Sequence, residues 1–326
     1  LYLVHVKESI SIHRYSLHSR AALNTKSDRH THHGALIRVG DGDYGYGCIH
    51  PWPELGDLDL ENTINLLTEG KHTALSRRAL LCAHSDAEAR RENRNLFEGL
   101  TIPQSHATLM MDEADFQTAV EAGFKMAKVK VGRDFDSEIE FIRAQSSRFQ
   151  SLEWRLDFNG SQSLESVKDF LHALGEETRD KIDFIEDAYL LNSSPWVNAL
   201  GPYDIPMAVD REVTDACGGF GVAVIKPALN TPAPILERAV DESKRVVFTS
   251  YMDHPLGQCF AAWQAALANQ SNPKIISTCG LVTHGLFEPD PFTEALGEPG
   301  PEFHPATGTG LGFDELLKSL KWTPLN

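Results

Sequence analysis

The sequence predicts an α/β fold, a parallel barrel following a separate α+β unit, and three observations point to it. From Ser105 onward, apolar strand-like runs alternate with stretches of helical periodicity. Several runs end in a charged residue: Lys-Val-Lys130, Arg-Leu-Asp157, Phe-Ile-Glu186, Ala-Val-Asp210 and Val-Ile-Lys226. The spacings are 157−130 = 27, 186−157 = 29, 210−186 = 24 and 226−210 = 16 residues. The first three suit strand-plus-helix units, and a parallel barrel of eight such units takes about 250 residues. A doubly wound sheet fits the same alternation.

Taken in order, Leu1 to Tyr15 carries strand-like alternation, and Ala35 to Ile49 reads as a hairpin turning at Asp41-Gly42-Asp43. Between them Asn24 to His33 is polar and histidine-rich, which predicts a mobile loop; His30, His32 and His33 read as solvated rather than as metal ligands. Helices are expected over Leu60 to Leu67 and Leu75 to Phe97. Residues 1–100 are therefore expected to form an α+β unit, and residues 101–326 the barrel.

Eight barrel strands are expected at 106–110, 124–130, 153–158, 182–186, 205–210, 222–227, 246–250 and 274–278. The clearest intervening helices are Glu113 to Ala122, Ser137 to Ser147, Ser163 to Leu174, Ala233 to Ser243 and Leu256 to Asn269. The connection after the fifth strand is too short for a full helix. The tail, Gly308-Thr-Gly-Leu-Gly-Phe-Asp314, is expected to return over the barrel or the first unit.

At 326 residues, 41% hydrophobic and 23% charged, the composition is that of a globular protein. A net charge of −16 with no basic stripe argues against a nucleic-acid partner. No apolar run approaches the ~20 residues of a membrane span, and Leu1 to Lys7 lacks a signal-peptide layout. Five scattered cysteines, Cys48, Cys82, Cys217, Cys259 and Cys279, suggest reduced thiols and a cytoplasmic location.

The second strand, within Phe124 to Gly132, carries Lys128 and Lys130 two positions apart, so both amines share one face while Ala127, Val129 and Val131 pack on the other. An isolated acid at a strand end is ordinarily a helix N-cap. Asp157, Glu186 and Asp210 on successive strands instead converge on the barrel's C-terminal mouth, where such folds keep their chemistry. Three carboxylates make a hard, oxygen-only donor set that suits Mg²⁺; Cys279 and the histidines fall out of register, which disfavours zinc. With Lys130 on one side and Lys226 on the other, the reaction class indicated is proton abstraction α to a carboxylate. A cation beside Lys130 and burial both favour its neutral form, and a metal would stabilise the enediolate.

With this constellation the sequence resembles the enolase superfamily, muconate-lactonising subgroup. Lys-Val-Lys on the second strand, Asp157-Phe-Asn159 on the third, then Glu186, Asp210 and Lys226 carry the resemblance, and that superfamily pairs a lysine or histidine base with magnesium. Gly34 to Val39 through Gly45-Tyr-Gly-Cys-Ile-His-Pro51 resembles its N-terminal capping hairpin and specificity loop. The resemblance implies a modified TIM barrel, (β/α)7β, under an N-terminal α+β capping domain. It implies Lys130 as the acid/base, Lys128 as its pKa-tuning neighbour and Lys226 as the lysine opposite. Asp157, Glu186 and Asp210 would hold Mg²⁺, and Asn159 would point into the cavity. Length and Arg155-Leu-Asp-Phe-Asn-Gly160 look most like the o-succinylbenzoate synthases. Those enzymes dehydrate a succinyl-hydroxycyclohexadiene carboxylate in menaquinone biosynthesis, which implies a small carboxylate partner, with Ser250 helping to hold the succinyl arm.

Two departures stand out. The subgroup's Asp-Glu-Ser at the fifth strand end is here Asp210-Arg211-Glu212, and the fourth strand offers two acids, Glu186 and Asp187. Two rival activities fit: racemisation of an N-succinylamino acid or epimerisation of a dipeptide by the same lysines, and a non-catalytic barrel that binds a carboxylate. The dipeptide epimerases' Asp-x-Asp after the eighth strand is replaced by Ser277-Thr-Cys-Gly280, which counts against that activity. No ligand or flanking lysine is lost, which counts against a non-catalytic barrel.

Overall fold

The computed structural model describes residues 9–23, 27–160, 162–188, 201–211, 213 and 220–325. The N-terminal unit is built on an antiparallel sheet of β1 (Ile10–His18), β2 (Thr31–Val39), β3 (Gly45–Ile49) and β11 (Thr323–Pro324), in the order β11-β1-β2-β3. Against it lie α1 (Leu60–Thr68), N-capped by Asp59, and α2 (Ala74–Arg91), opened by a Thr73–Ser76 capping box. Close approach of α2 to β3 explains Gly45 and Gly47: a Cβ on Gly45 would lie 1.8 Å from the Ala83 carbonyl oxygen, and on Gly47 2.2 Å from that of Ala79.

Two expectations for this unit are corrected. The histidine-rich segment is not a solvated loop from residue 31 on, because β1 pairs Leu17 with His32 and Ser16 with His33. That register turns His32 inward, fully buried, with its ring 4.5 Å from that of Trp52. Residues 24–26 of that stretch lie outside the described residues. The second helix stops at Arg91 rather than Phe97, where Asn93 takes a left-handed φ of 53°.

The second sheet is parallel and curled: β4 (Ala107–Leu109), β5 (Met126–Lys130), β6 (Glu153–Asp157), β7 (Ile182–Glu186), β8 (Met207–Val209), β9 (Val222–Ile225) and β10 (Arg245–Phe248), in sequence order. The helices α3 (Glu113–Glu121), α4 (Phe135–Arg148), α5 (Leu164–Leu174), α6 (Glu176–Arg179), α7 (Pro232–Asp241) and α8 (Pro255–Ser271) lie in its connections. Alternation along β6 sends Trp154, Leu156 and Phe158 into the apolar layer that also holds Phe170 and Leu171 of α5. Phe184, Ala208, Val222, Val224 and Val247 form a separate buried cluster.

An eighth strand at 274–278 does not form. Ile276 bridges Val246 and Gly280 bridges Thr249, so 280−276 = 4 residues oppose 249−246 = 3, and the extra residue interrupts the ladder. Closure is still made, because Cys279 bridges Ser105 before β4 while its neighbours pair with β10. The barrel is thus completed by isolated bridges and not by a regular strand.

The tail, with α9 (Pro291–Glu294) and α10 (Asp314–Ser319), returns to the N-terminal unit. The Leu311 amide donates to Asp86 Oδ1 at 2.6 Å, Arg90 pairs with Asp86 and Asp314, and β11 pairs with β1. Cys48, Cys82, Cys259 and Cys279 are free thiols, and Cys217 lies outside the described residues. Among the described residues no helix is long and apolar enough to cross a membrane.

Candidate active site

Parallel register assembles the site. Lys130 stands opposite Asp157, and Asp157 opposite Glu186, at the carboxyl ends of β5, β6 and β7. Glu186 pairs with Ala208, so Asp210 lies two residues further along, just past β8, and Lys226 follows the last residue of β9. Each strand-end side chain therefore meets its neighbours at one mouth.

Lys128, Lys130, Asp157, Asn159, Asp210, Lys226 and Ser250 all line one cavity of about 200 Å³. Glu186, almost fully buried, joins them through a hydrogen bond from Lys128 Nζ. Lys128 also pairs with Asp157 at 3.2 Å, and Lys226 pairs with Asp210. Lys130 Nζ instead donates to the carbonyl oxygen of Leu23, from the N-terminal unit, at 2.7 Å. Leu23 and Leu55 both line the cavity, so the N-terminal unit supplies part of its wall. Gly45–Ile49 forms the second strand of the expected hairpin and is largely buried, and Trp52 beyond it is fully buried.

Of the two adjacent acids at the end of β7, Glu186 faces Lys128 while Asp187 turns away. Asp187 takes a left-handed φ of 41°, and its two oxygens accept from the Asp210 and Arg211 amides at 3.0 and 3.1 Å. An acid thus stands beside the Asp210 strand end although position 211 is an arginine. Asn159 also has a left-handed φ, 54°; its amide donates to Asp157 Oδ1 at 3.0 Å, and its buried Nδ2 has no hydrogen-bond partner. Ser250 Oγ lies 2.7 Å from Thr283 Oγ1. Strained backbone at Asn159 and Asp187, both at the mouth, is of the kind held where function requires it.

The electrostatics separate the two lysines of β5. Burial pushes Lys130 down to about 8; Asp157 opposes that fall, and the charges of Lys128 and Lys226 add to it. Burial also presses on Lys128, but Asp157, Glu186 and Asp210 outweigh it and hold Lys128 raised and charged. Burial raises Glu186 to about 7 against Lys128, with Asp157 and Asp210 adding to the rise. Asp157 is buried too, yet Lys128 and Lys130 hold it below the usual carboxylate range.

Three carboxylates on adjacent strands are a donor set of the kind a hard divalent cation takes. In this structure the positive charge they gather is that of Lys128 and Lys226. Among the described residues no three of His, Cys, Asp and Glu are drawn together closely enough to enclose an ion.

Several cavity residues were not singled out from the sequence. His106 lines the cavity and its Nδ1 lies 2.7 Å from Nη1 of Arg155, which also donates to the Thr278 carbonyl at 2.7 Å where the strand ladder is interrupted. Arg155 Nε donates to Asp183 at 2.8 Å, and Arg245 pairs with the other Asp183 oxygen at 2.5 Å. Strand alternation alone puts Arg155 on the face of Asp157, since 157−155 = 2. Tyr251, whose ring centroid is 5.6 Å from Lys226 Nζ, carried no such signal.

Comparison with known proteins bears on this geometry. Residues 10–89 match the family model described as O-succinylbenzoate synthase, N-terminal domain. Over 97% of its length the chain is 30% identical to the o-succinylbenzoate synthase of Bdellovibrio bacteriovorus, of which it covers 98%. Among solved structures, a mandelate racemase/muconate lactonizing protein from Herpetosiphon aurantiacus superposes with a TM-score of 0.79 at 18% identity, covering 94% of this chain and 97% of that one. A dipeptide epimerase from Enterococcus faecalis V583, complexed with Mg and L-Leu-L-Tyr, superposes at 0.75 with 16% identity, covering 94% of this chain and 98% of that one. At such identities the two superpositions establish the fold.

Proposed function

The chain belongs to the o-succinylbenzoate synthase family of the enolase superfamily and is an enzyme of the lyase class; on that premise we propose that it dehydrates 2-succinyl-6-hydroxycyclohexadiene-1-carboxylate to o-succinylbenzoate. The observation that carries this reading is the asymmetry between the lysines. Lys130 is half-buried, makes no ion pair with a carboxylate among the described residues and is pushed down to about 8 by burial, whereas Lys226 is ion-paired with Asp210. A dehydration in which one amine takes the proton and returns it needs one base. Menaquinone biosynthesis is the pathway this product serves. In this reading residues 1–100 cap a catalytic barrel of residues 101–326, within a cytoplasmic enzyme.

Lys130 Nζ, as the free amine, takes the proton α to the substrate carboxylate, and the electron pair of that C–H bond becomes part of the new ring double bond. The C–O bond to the 6-hydroxyl breaks, and the Lys130 ammonium gives its proton to the leaving hydroxide, so that water departs and Lys130 is again neutral. Lys128, held charged by Asp157 and Glu186, keeps a cation beside Lys130 and favours its free amine. Lys226 stabilises negative charge spreading through the ring, and meets the aromatic face as it forms. Asn159 Nδ2 and Ser250 Oγ offer polar contacts to the substrate.

Asp157, Glu186 and Asp210 are the residues that would hold Mg²⁺. The ion, when bound, supplies a Lewis acid for the substrate carboxylate. Ultraviolet-monitored turnover of the hydroxycyclohexadiene substrate with and without Mg²⁺ tests the assignment; no formation of the aromatic product in either condition sinks it.

One observation favours a second reading. Lys130 and Lys226 line the same cavity, as a two-base racemase of N-succinylamino acids requires. Exchange of the α-proton of both enantiomers in deuterated water, without dehydration of the hydroxycyclohexadiene substrate, would move the assignment there.

A further inference from the structure

Arg211 is one of the two residues by which this chain departs from the Asp-Glu-Ser pattern of its subgroup, and it lines the same cavity as Lys130 and Lys226. Its backbone is anchored, because the Arg211 amide donates to Asp187 Oδ2 at 3.1 Å and the preceding amide to Oδ1 at 3.0 Å. The side chain is less committed. Nε lies 3.9 Å from Asp187 Oδ2, too far for a hydrogen bond, and 34% of the side chain is exposed. Asp187 is meanwhile occupied by two backbone donors. Among the described residues, that distant approach is the one ion pair the guanidinium makes.

The other cations of the cavity are taken. Lys128 is held between Asp157 and Glu186, Lys226 by Asp210, and Lys130 by the Leu23 carbonyl. Among the described residues, Arg211 is therefore the cavity cation whose side chain makes no close contact with a protein oxygen, and it is free to meet a ligand. A guanidinium presents paired donors that match a carboxylate in a two-point contact, which a lysine does not.

We propose that Arg211 is a specificity-determining residue that receives the distal, succinyl carboxylate of the substrate, so that the cavity selects dicarboxylates over monocarboxylates of the same shape. The inference rests on the dehydratase reading above. Leu23, Leu55, Leu229 and Leu286 offer apolar wall to the ring and methylene chain, and the two ends of the ligand carry its charges.

The test uses the magnesium-loaded full chain and two stable ligands, o-succinylbenzoate and 2-butyrylbenzoate, which has a methyl group in place of the distal carboxylate. Isothermal titration should show the wild type preferring the dicarboxylate by roughly 10- to 100-fold, the range of a hydrogen bond to a charged group. Arg211→Met should weaken the dicarboxylate alone and reduce the preference to about threefold or less, with Arg211→Lys recovering part of it. A merely structural role would weaken both ligands equally, and that result, or a preference unchanged in Arg211→Met, overturns the proposal. Equal affinity of the wild type for both ligands, while dehydration proceeds, overturns the proposal and leaves the dehydratase reading standing. A wild type that binds neither ligand and does not dehydrate the substrate overturns both.

Discussion

Tyr251 Oη donates to Asp57 Oδ2 across 2.9 Å, tying the strand-end segment after β10 to the N-terminal unit, while the same tyrosine ring lies 5.6 Å from the ammonium of Lys226. The tie is doubled. Trp52 Nε1 donates to the Tyr251 carbonyl at 2.8 Å, and the Trp52 amide donates to the same Asp57 oxygen at 2.8 Å. One carboxylate thus joins Trp52 of the N-terminal unit to the tyrosine beside Lys226.

Asp57→Ala removes the acceptor for two buried donors, at about 1–3 kcal/mol for each group left unsatisfied. We expect faster hydrogen exchange over residues 51–57, little change over β3, and a fall in kcat/KM of about 10-fold. Unchanged exchange at Trp52 would show that the tie does not hold the cap.

Removing a strand-end carboxylate should separate the metal site from its support. Glu186→Ala is expected to lower activity by roughly 10³-fold and to abolish Mg²⁺ binding in a calorimetric titration. Asp187→Ala, which takes the anchor from the Asp210 and Arg211 amides, should cost about 10- to 100-fold in metal affinity without abolishing it. The reverse ranking would transfer the ligand role to Asp187.

The pH profile should report Lys130. Its folded value is lowered to about 8 by burial first, so the required free amine is scarce below that pH and predominates above it. Consequently kcat/KM should rise tenfold per pH unit below about 8 and level off above it. Lys130→Ala should remove all α-proton exchange in deuterated water. Lys226→Arg keeps the charge and should retain measurable turnover. A rate independent of pH from about 6 to 10 would exclude Lys130 as the titrating base.

Beneath the site, Asp183 balances two arginines, Arg155 and Arg245, of which Arg155 is fully buried. Asp183→Ala leaves the Arg155 charge buried and should destabilise the fold by about 3–5 kcal/mol. Chemical denaturation measures this directly. Asp183→Asn, which keeps an acceptor but also loses the charge, should lose nearly as much, and a much smaller loss in Asp183→Asn than in Asp183→Ala would argue for the hydrogen bond over the charge.

Much of this protein was legible in the residues themselves. Period-two alternation on β5 and β6 and the recurrence of a charged residue at successive strand ends pointed to the cavity that Lys128, Lys130, Asp157, Asp210 and Lys226 line, because parallel register sets the ends of neighbouring strands side by side. Tertiary packing decided what local pattern does not encode. His32 became a buried strand residue because β1 was available to pair with it, and the eighth segment lost its ladder because one extra residue lay opposite β10. The division of labour between Glu186 and Asp187 depended on the left-handed turn at Asp187, which aims its carboxylate at the backbone of the next strand. Lys130 acquired its lowered proton affinity from burial, to which the charges of Lys128 and Lys226 add, and Lys128 kept its charge from acids 157−128 = 29 and 186−128 = 58 residues away. Alternation sets the direction a side chain takes; the charges and the dielectric it meets there are set by the rest of the fold.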